Sequence, residues 1–196
     1  MVETSTARVA TGRRAEIQKE LLADVEKHLA AKDSYPVVKE DKKSGLKIHQ
    51  TTQGESAMTV SFIEYEGVTV EAFKWYSQNG LTEIPKANDK VKIAELEEDE
   101  GCKVMHQHIK TPIMVTNRSM IQTAYPNVAG PTEGSFVVLV SDKGNEAQIE
   151  KYADKIGKDV RGLAHLVYQL IEPTATGIRV TQVIHIDLGG SLPNMI

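Results

Sequence analysis

The chain has a single cysteine, Cys102, among 196 residues. No internal disulfide can form, which fits a reducing compartment, and a cytoplasmic location is expected. Long hydrophobic runs are absent too: the longest wholly apolar stretch is Phe136–Val140, far too short to span a bilayer. Met1 to Thr11 is polar where a signal peptide would carry an apolar core, so no secretory leader is expected there. Nor is there an excess of positive charge. Lys and Arg total 23 against 27 Asp and Glu, a net −4, and no basic face stands out, which argues against a nucleic-acid partner. Aromatics are only 5% of the residues, and Phe73, Trp75 and Tyr76 read as core packing rather than a cofactor box. No glycine-rich phosphate loop, nucleophile elbow or catalytic triad is present, so no cofactor, metal or catalytic set is expected. What is there is an ordinary soluble balance, 40% hydrophobic and 26% charged, in a length that suits one domain. Residues 1–12 are expected to fray and residues 13–196 to form that domain.

Ile17, Leu21, Val25 and Leu29 recur every four residues, which predicts a helix over Arg13–Ala31 with Thr11 as its cap. After Pro36 the period becomes that of strands. These are predicted over Leu46–Thr52, Ala57–Tyr65, Val91–Glu98, Cys102–Lys110, Ser119–Tyr125, Ser135–Ser141, Leu163–Ile171 and Ile178–Asp187. A helix over Val70–Gln78, stopped by Asn79–Gly80, and another over Ala147–Ile156 interrupt them. The acidic run Glu95, Glu97, Glu98, Asp99 and Glu100 reads as a solvated hairpin tip, because it lacks calcium-loop spacing. The fold class is α+β with a large antiparallel sheet.

The later strands are apolar on both faces. Phe136–Val140 is continuous, Leu163–Ile171 scatters His165, Tyr168 and Gln169 among aliphatics, and Ile178–Leu188 does the same with Gln182 and His185. A sheet with one wet face should alternate cleanly, so both faces must be covered. Helices can do this. So can a hydrophobic cavity in which the scattered polar groups orient a ligand. His106 and His108 lie two apart and share a strand face, but two ligands do not make a metal site.

Three stretches of the C-terminal half resemble the START family, the steroidogenic acute regulatory protein-related lipid-transfer domains. Lys110-Thr-Pro-Ile-Met-Val-Thr-Asn-Arg118-Ser is similar to the family's K-x-P-x-P-x-S-x-R-D stretch. Asp159-Val-Arg161-Gly matches an x-V-R-A strand start, and Thr181-Gln-Val-Ile-His-Ile-Asp187-Leu-Gly-Gly190-Ser-Leu-Pro193 matches V-T-x-V-x-x-x-D-x-G-G-x-I-P. Order and spacing agree across Val91 to Pro193. The chain departs from the pattern at Met114, in place of a proline, and at Ser119, in place of an aspartate. Family domains continue after the last motif into a long helix that covers the cavity. This chain stops at Ile196, so that lid is expected to be missing or different.

The resemblance implies a helix-grip fold, a curved antiparallel sheet around a hydrophobic tunnel for one lipid or sterol, acting in intracellular transfer or sensing without catalysis. Within it, His106, His108, Met120, Val138, Tyr168, Gln182 and Ile184 are the expected ligand contacts. Pro112, Ile113, Met114 and Val115 are the expected gate loop, in transient contact with a membrane. Gln107 and Ala124 stand where an acid and a base would pair, which favours a sterol or neutral lipid over a zwitterion. Without a lid, the apolar face is expected to be covered by the N-terminal helix, a ligand or a second protomer; the alternative is that residues beyond Ile196 supply the lid in a longer chain. An enzyme of the same grip architecture, such as a cyclase, hydratase or thioesterase, and a ligand-sensing interaction domain remain alternatives.

Overall fold

The spacing of Ile17, Leu21 and Val25 produces α1 (Gly12–Ala31), and all three side chains are buried against the sheet. This computed structural model describes residues 8–112, 115–126 and 128–190. Thr11 sits at the cap position, but its side chain makes no capping bond. The acidic hairpin tip does that work instead. The Glu100 carboxylate accepts the Arg14 backbone N–H at 2.7 Å, and the Thr11 N–H donates to the Glu100 carbonyl at 3.0 Å. The Arg14 guanidinium reaches one Asp99 oxygen through both Nε, at 2.8 Å, and Nη2, at 2.7 Å. Asp99 and Glu100 therefore serve α1 as ion-pair partner and tertiary cap, while Glu95, Glu98 and Glu100 stay exposed, as a solvated hairpin tip should. Gly101 is required at the turn, because its φ is +81° and a Cβ there would lie 2.3 Å from the Val9 carbonyl oxygen.

The strands are β1 (Val37–Asp41), β2 (Leu46–Gln53), β3 (Ser56–Glu66), β4 (Val91–Asp99), β5 (Cys102–Ile109), β6 (Arg118–Tyr125), β7 (Phe136–Ser141), β8 (Val160–Arg161), β9 (Leu163–Pro173) and β10 (Gly177–Asp187). They form one curved sheet in the order β1-β2-β3-β10-β9-β7-β6-β5-β4, all antiparallel, with β8 joined in parallel to β6. The expected α+β architecture with its N-terminal helix is present. Between β3 and β4 lie α2 (Val70–Gln78) and α3 (Gly80–Ala87); α4 (Glu146–Lys151) and α5 (Ala153–Ile156) replace the single helix expected there. Asn79–Gly80 does stop α2, but α3 starts at once and carries Pro85 inside it. Among the described residues no helix is long and apolar enough to cross a membrane.

The register separates two faces. Tyr168 is paired with Val183 and Leu139, and through them with Val60 and Tyr125. These five side chains lie under α1 in one core, together with Met58 and Leu166. On the other face, Ile171, Ile178 and Val180 are buried beneath Val70 and Phe73 of α2, at one end of the sheet only. Val138, Val140, Val167 and Ile184, further along that face, are half-buried.

Candidate functional site

The open face is built from alternate residues of six strands. Gln182 of β10 lies opposite Gln169 of β9 and Ser61 of β3, and Gln169 lies opposite Val138 of β7. Ile184 lies opposite Val167, which lies opposite Val140 and then Ala124. Met120, four residues from Ala124 on β6, shares that face and lies opposite Gln107 of β5. The wall is therefore aliphatic, with neutral polar groups set into it. Ser61 Oγ donates to Gln182 Oε1 at 3.0 Å, and Gln122 Nε2 donates to Gln107 Oε1 at 2.7 Å. Lys103 and Glu95 pair at its β4–β5 margin, 2.8 Å apart.

The seven expected contacts do not converge on one surface. Met120, Val138, Gln182 and Ile184 share the open face. Tyr168 is buried in the α1 core, and His106 and His108, opposite Ile121 and Ser119, face the same way as Tyr168. Within each strand the parity expected from the sequence holds; what relates the strands is their register. Gln107 lines the wall, as its place opposite an expected base suggests; Gln122, Gln169 and Ser61 are wall residues that the sequence alone does not single out. One of them had a signal: the short turn after Pro173 fixes the β9–β10 register and thereby places Gln169 opposite Gln182.

His106 and His108 belong to a polar cluster instead. Ser119 Oγ donates to Asp159 Oδ2 at 2.6 Å, and His106 Nε2 lies 3.2 Å from the same hydroxyl. His108 Nε2 is 3.4 Å from Asp159 Oδ2. With its one proton directed at Asp159, Ser119 can only accept from His106 Nε2–H. Burial, and then the neighbouring His108, lowers the His106 pKa and favours the neutral ring. The carboxylate missing at position 119 is thus supplied from Asp159. Ser119→Asp would set two carboxylates against each other at a fully buried position. It should cost about 2–4 kcal/mol in urea denaturation, and Asp159→Ser in the same chain should recover part of that. An unchanged midpoint would show that the cluster tolerates a second charge.

Of the expected gate loop, Ile113 and Met114 lie outside the described residues. Pro112 is exposed and Val115 half-buried, and the Val115 N–H donates to the Pro112 carbonyl at 3.1 Å. Arg118 anchors the end of the loop. It is 3% exposed, donates to the Leu188 and Gly189 carbonyls at 3.1 and 3.2 Å, and also bonds the Thr116 carbonyl.

A cavity of about 390 Å³ lies on the α1 face, lined among others by Leu21, His28, Asp142, Leu166, His165 and His185. Its walls are ionisable, unlike the open face. The His165 and His185 rings stand 4.5 Å apart, and His185 Nε2 bonds Ser56 Oγ at 2.7 Å. Burial lowers the pKa of His28 and His185 from the ordinary 6.5, helped by Lys27 and His165 respectively. The unfolded chain therefore takes up these protons first, and stability present above pH 6.5 is lost as pH falls toward the folded values. Burial raises the Asp142 pKa, which acts in the opposite sense. The melting temperature should drop between pH 7 and about pH 5.5, and less steeply in a His28→Gln, His185→Gln chain; parallel curves would show that these rings do not set the slope.

Cys102 is fully buried and its thiol is pushed up to about 11, chiefly by burial, so it stays protonated. Among the described residues no three His, Cys, Asp or Glu side chains are placed to hold a metal ion.

No family model and no curated protein matches the sequence. Solved structures do match the fold. Human StAR-related lipid transfer protein 5 superposes with a TM-score of 0.69 at 13% identity, covering 92% of this chain and 85% of that one. Human STARD10 gives 0.67 at 14% identity, over 98% of this chain and 74% of its own. A STAR-related lipid transfer protein from Xanthomonas axonopodis gives 0.57 at 17% identity, over 81% and 85%. The sheet order, the N-terminal helix and these likenesses agree: the chain has the helix-grip fold of the START domains.

Proposed function

We propose that this chain binds one lipid or sterol molecule against the open face of its sheet, without catalysis, and serves in intracellular lipid transfer or sensing. The observation that carries this reading is the aliphatic wall of Met120, Val138, Val140, Val167 and Ile184, which stays half-buried apart from Met120, while the core of the opposite face lies under α1. Hydrocarbon gains about 25 cal/mol for each Å² it removes from water, so such a wall favours an apolar occupant over solvent. The amides of Gln107, Gln122, Gln169 and Gln182 are neutral and suit a hydroxyl or ester, which favours a sterol or neutral lipid. A catalytic reading would need polar groups converging on the ligand, and His106, His108 and His185 lie on the α1 face.

Native mass spectrometry after mild purification tests the proposal. The expected result is a hydrophobic adduct at one per chain, or uptake of one from a panel of sterols and neutral lipids. A chain that stays empty across the panel contradicts lipid binding, and binding confined to phosphocholine lipids contradicts the ligand class.

A further inference from the structure

α2 has two unlike sides. Thr69 caps it, its hydroxyl accepting from the Ala72 N–H at 3.1 Å. Val70 and the half-buried Phe73 pack inward on Ile63, Ile171, Ile178 and Val180, so α2 covers one end of the face on which the lipid is proposed to lie. The outward side carries Trp75, 57% exposed, and Tyr76, 37% exposed. Tyr65, 43% exposed, lies near the end of β3 on that same sheet face, opposite Ile178. Large rings with one polar atom gain most at a water–hydrocarbon boundary, where the ring is dry and the N–H or O–H stays wet.

The charges on the two helices α2 and α3 cancel. Glu71 and Lys74 lie on α2, and Glu83 pairs with Lys86 at 2.7 Å on α3. Such a strip complements a surface without net charge, and a chain of net −4 gains nothing from an anionic one. We propose that α2 docks on the zwitterionic surface of a lipid bilayer, with Trp75 and Tyr76 seated at its headgroup boundary. This assignment rests on the lipid-binding reading, since it sets a membrane beside one end of the ligand face.

Trp75 is the one tryptophan in the chain, so its fluorescence reports on this surface alone. Phosphatidylcholine vesicles added to the full chain should shift Trp75 emission to the blue, and lipids brominated near the headgroup should quench it. Trp75→Ser should weaken vesicle partitioning, followed by flotation, about tenfold, and Tyr76→Ser by less. Adding phosphatidylglycerol should not strengthen binding. Emission unmoved by vesicles overturns the proposal, as does binding confined to anionic vesicles. A blue shift that grows with protein concentration in the absence of lipid would assign the surface to a second copy, and overturns it too. Uptake of a dispersed fluorescent sterol, measured without vesicles, separates the two readings. Sterol bound with Trp75 unmoved defeats docking alone, whereas Trp75 shifted with no sterol or neutral lipid taken up defeats the ligand reading and leaves docking standing.

Discussion

Replacing Ile184 with arginine should reduce lipid binding about a hundredfold and leave the melting temperature within a few degrees of the parent. Ile184 lies at the middle of the open face, opposite Val167 and Thr59, and is half-buried. In the empty protein an arginine there can extend its guanidinium into water, so folding is little affected. With hydrocarbon laid against the wall, that charge must be desolvated or must hold the ligand off. A cost of about 3 kcal/mol is a hundredfold in affinity. Tyr168→Ala is the contrasting variant. Tyr168 is 6% exposed in the α1 core, and its loss should cost about 3 kcal/mol of stability. Normal affinity in the Ile184→Arg chain would move the binding site elsewhere; normal stability in the Tyr168→Ala chain would mean that α1 does not seal its face.

Arg14→Ala should lower stability by about 2–3 kcal/mol and leave the helix cap in place. The Arg14 side chain is 3% exposed, and the Asp99 it chelates is 31% exposed. Removing one member of a buried pair strands the other, a loss of about 3–5 kcal/mol when both are fully buried. Asp99 keeps partial hydration and a bond from Gln148 Nε2 at 3.1 Å, which sets the expectation at the low end. The Glu100 cap survives because it uses the Arg14 backbone N–H, not the guanidinium. Urea denaturation of Arg14→Ala, Asp99→Ala and the double variant closes a cycle, and its coupling should exceed 1 kcal/mol. Additive losses would reduce the pair to a surface contact.

Much of this fold is legible residue by residue. The four-residue stripe of α1 and the alternation within each strand are local signals, and the helix and strand boundaries follow them to within about two residues. β1 was not anticipated because all five of its residues are exposed on the sheet edge, so burial imposes no alternation on Val37–Asp41. α3 was hidden by its own residues, since Asn79–Gly80 and Pro85 each read as terminators. The role of Asp99 and Glu100 depends on α1 meeting a hairpin some 85 residues away, which no local window contains. The candidate face was half legible for the same reason. Parity pairs His106 with His108 and Gln182 with Ile184, but only the register running from β10 through β9, β7 and β6 to β5 shows that these pairs point to opposite faces.

Photo-crosslinking tests the central claim most directly. A photoreactive sterol, irradiated with the full chain and mapped by peptide mass spectrometry, should attach at one per chain to open-face residues of β6, β7, β9 and β10, among them Met120, Val138, Val167 and Ile184. Attachment concentrated on the α1 face, at His106, His108 or around the His165–His185 cavity, would contradict the account.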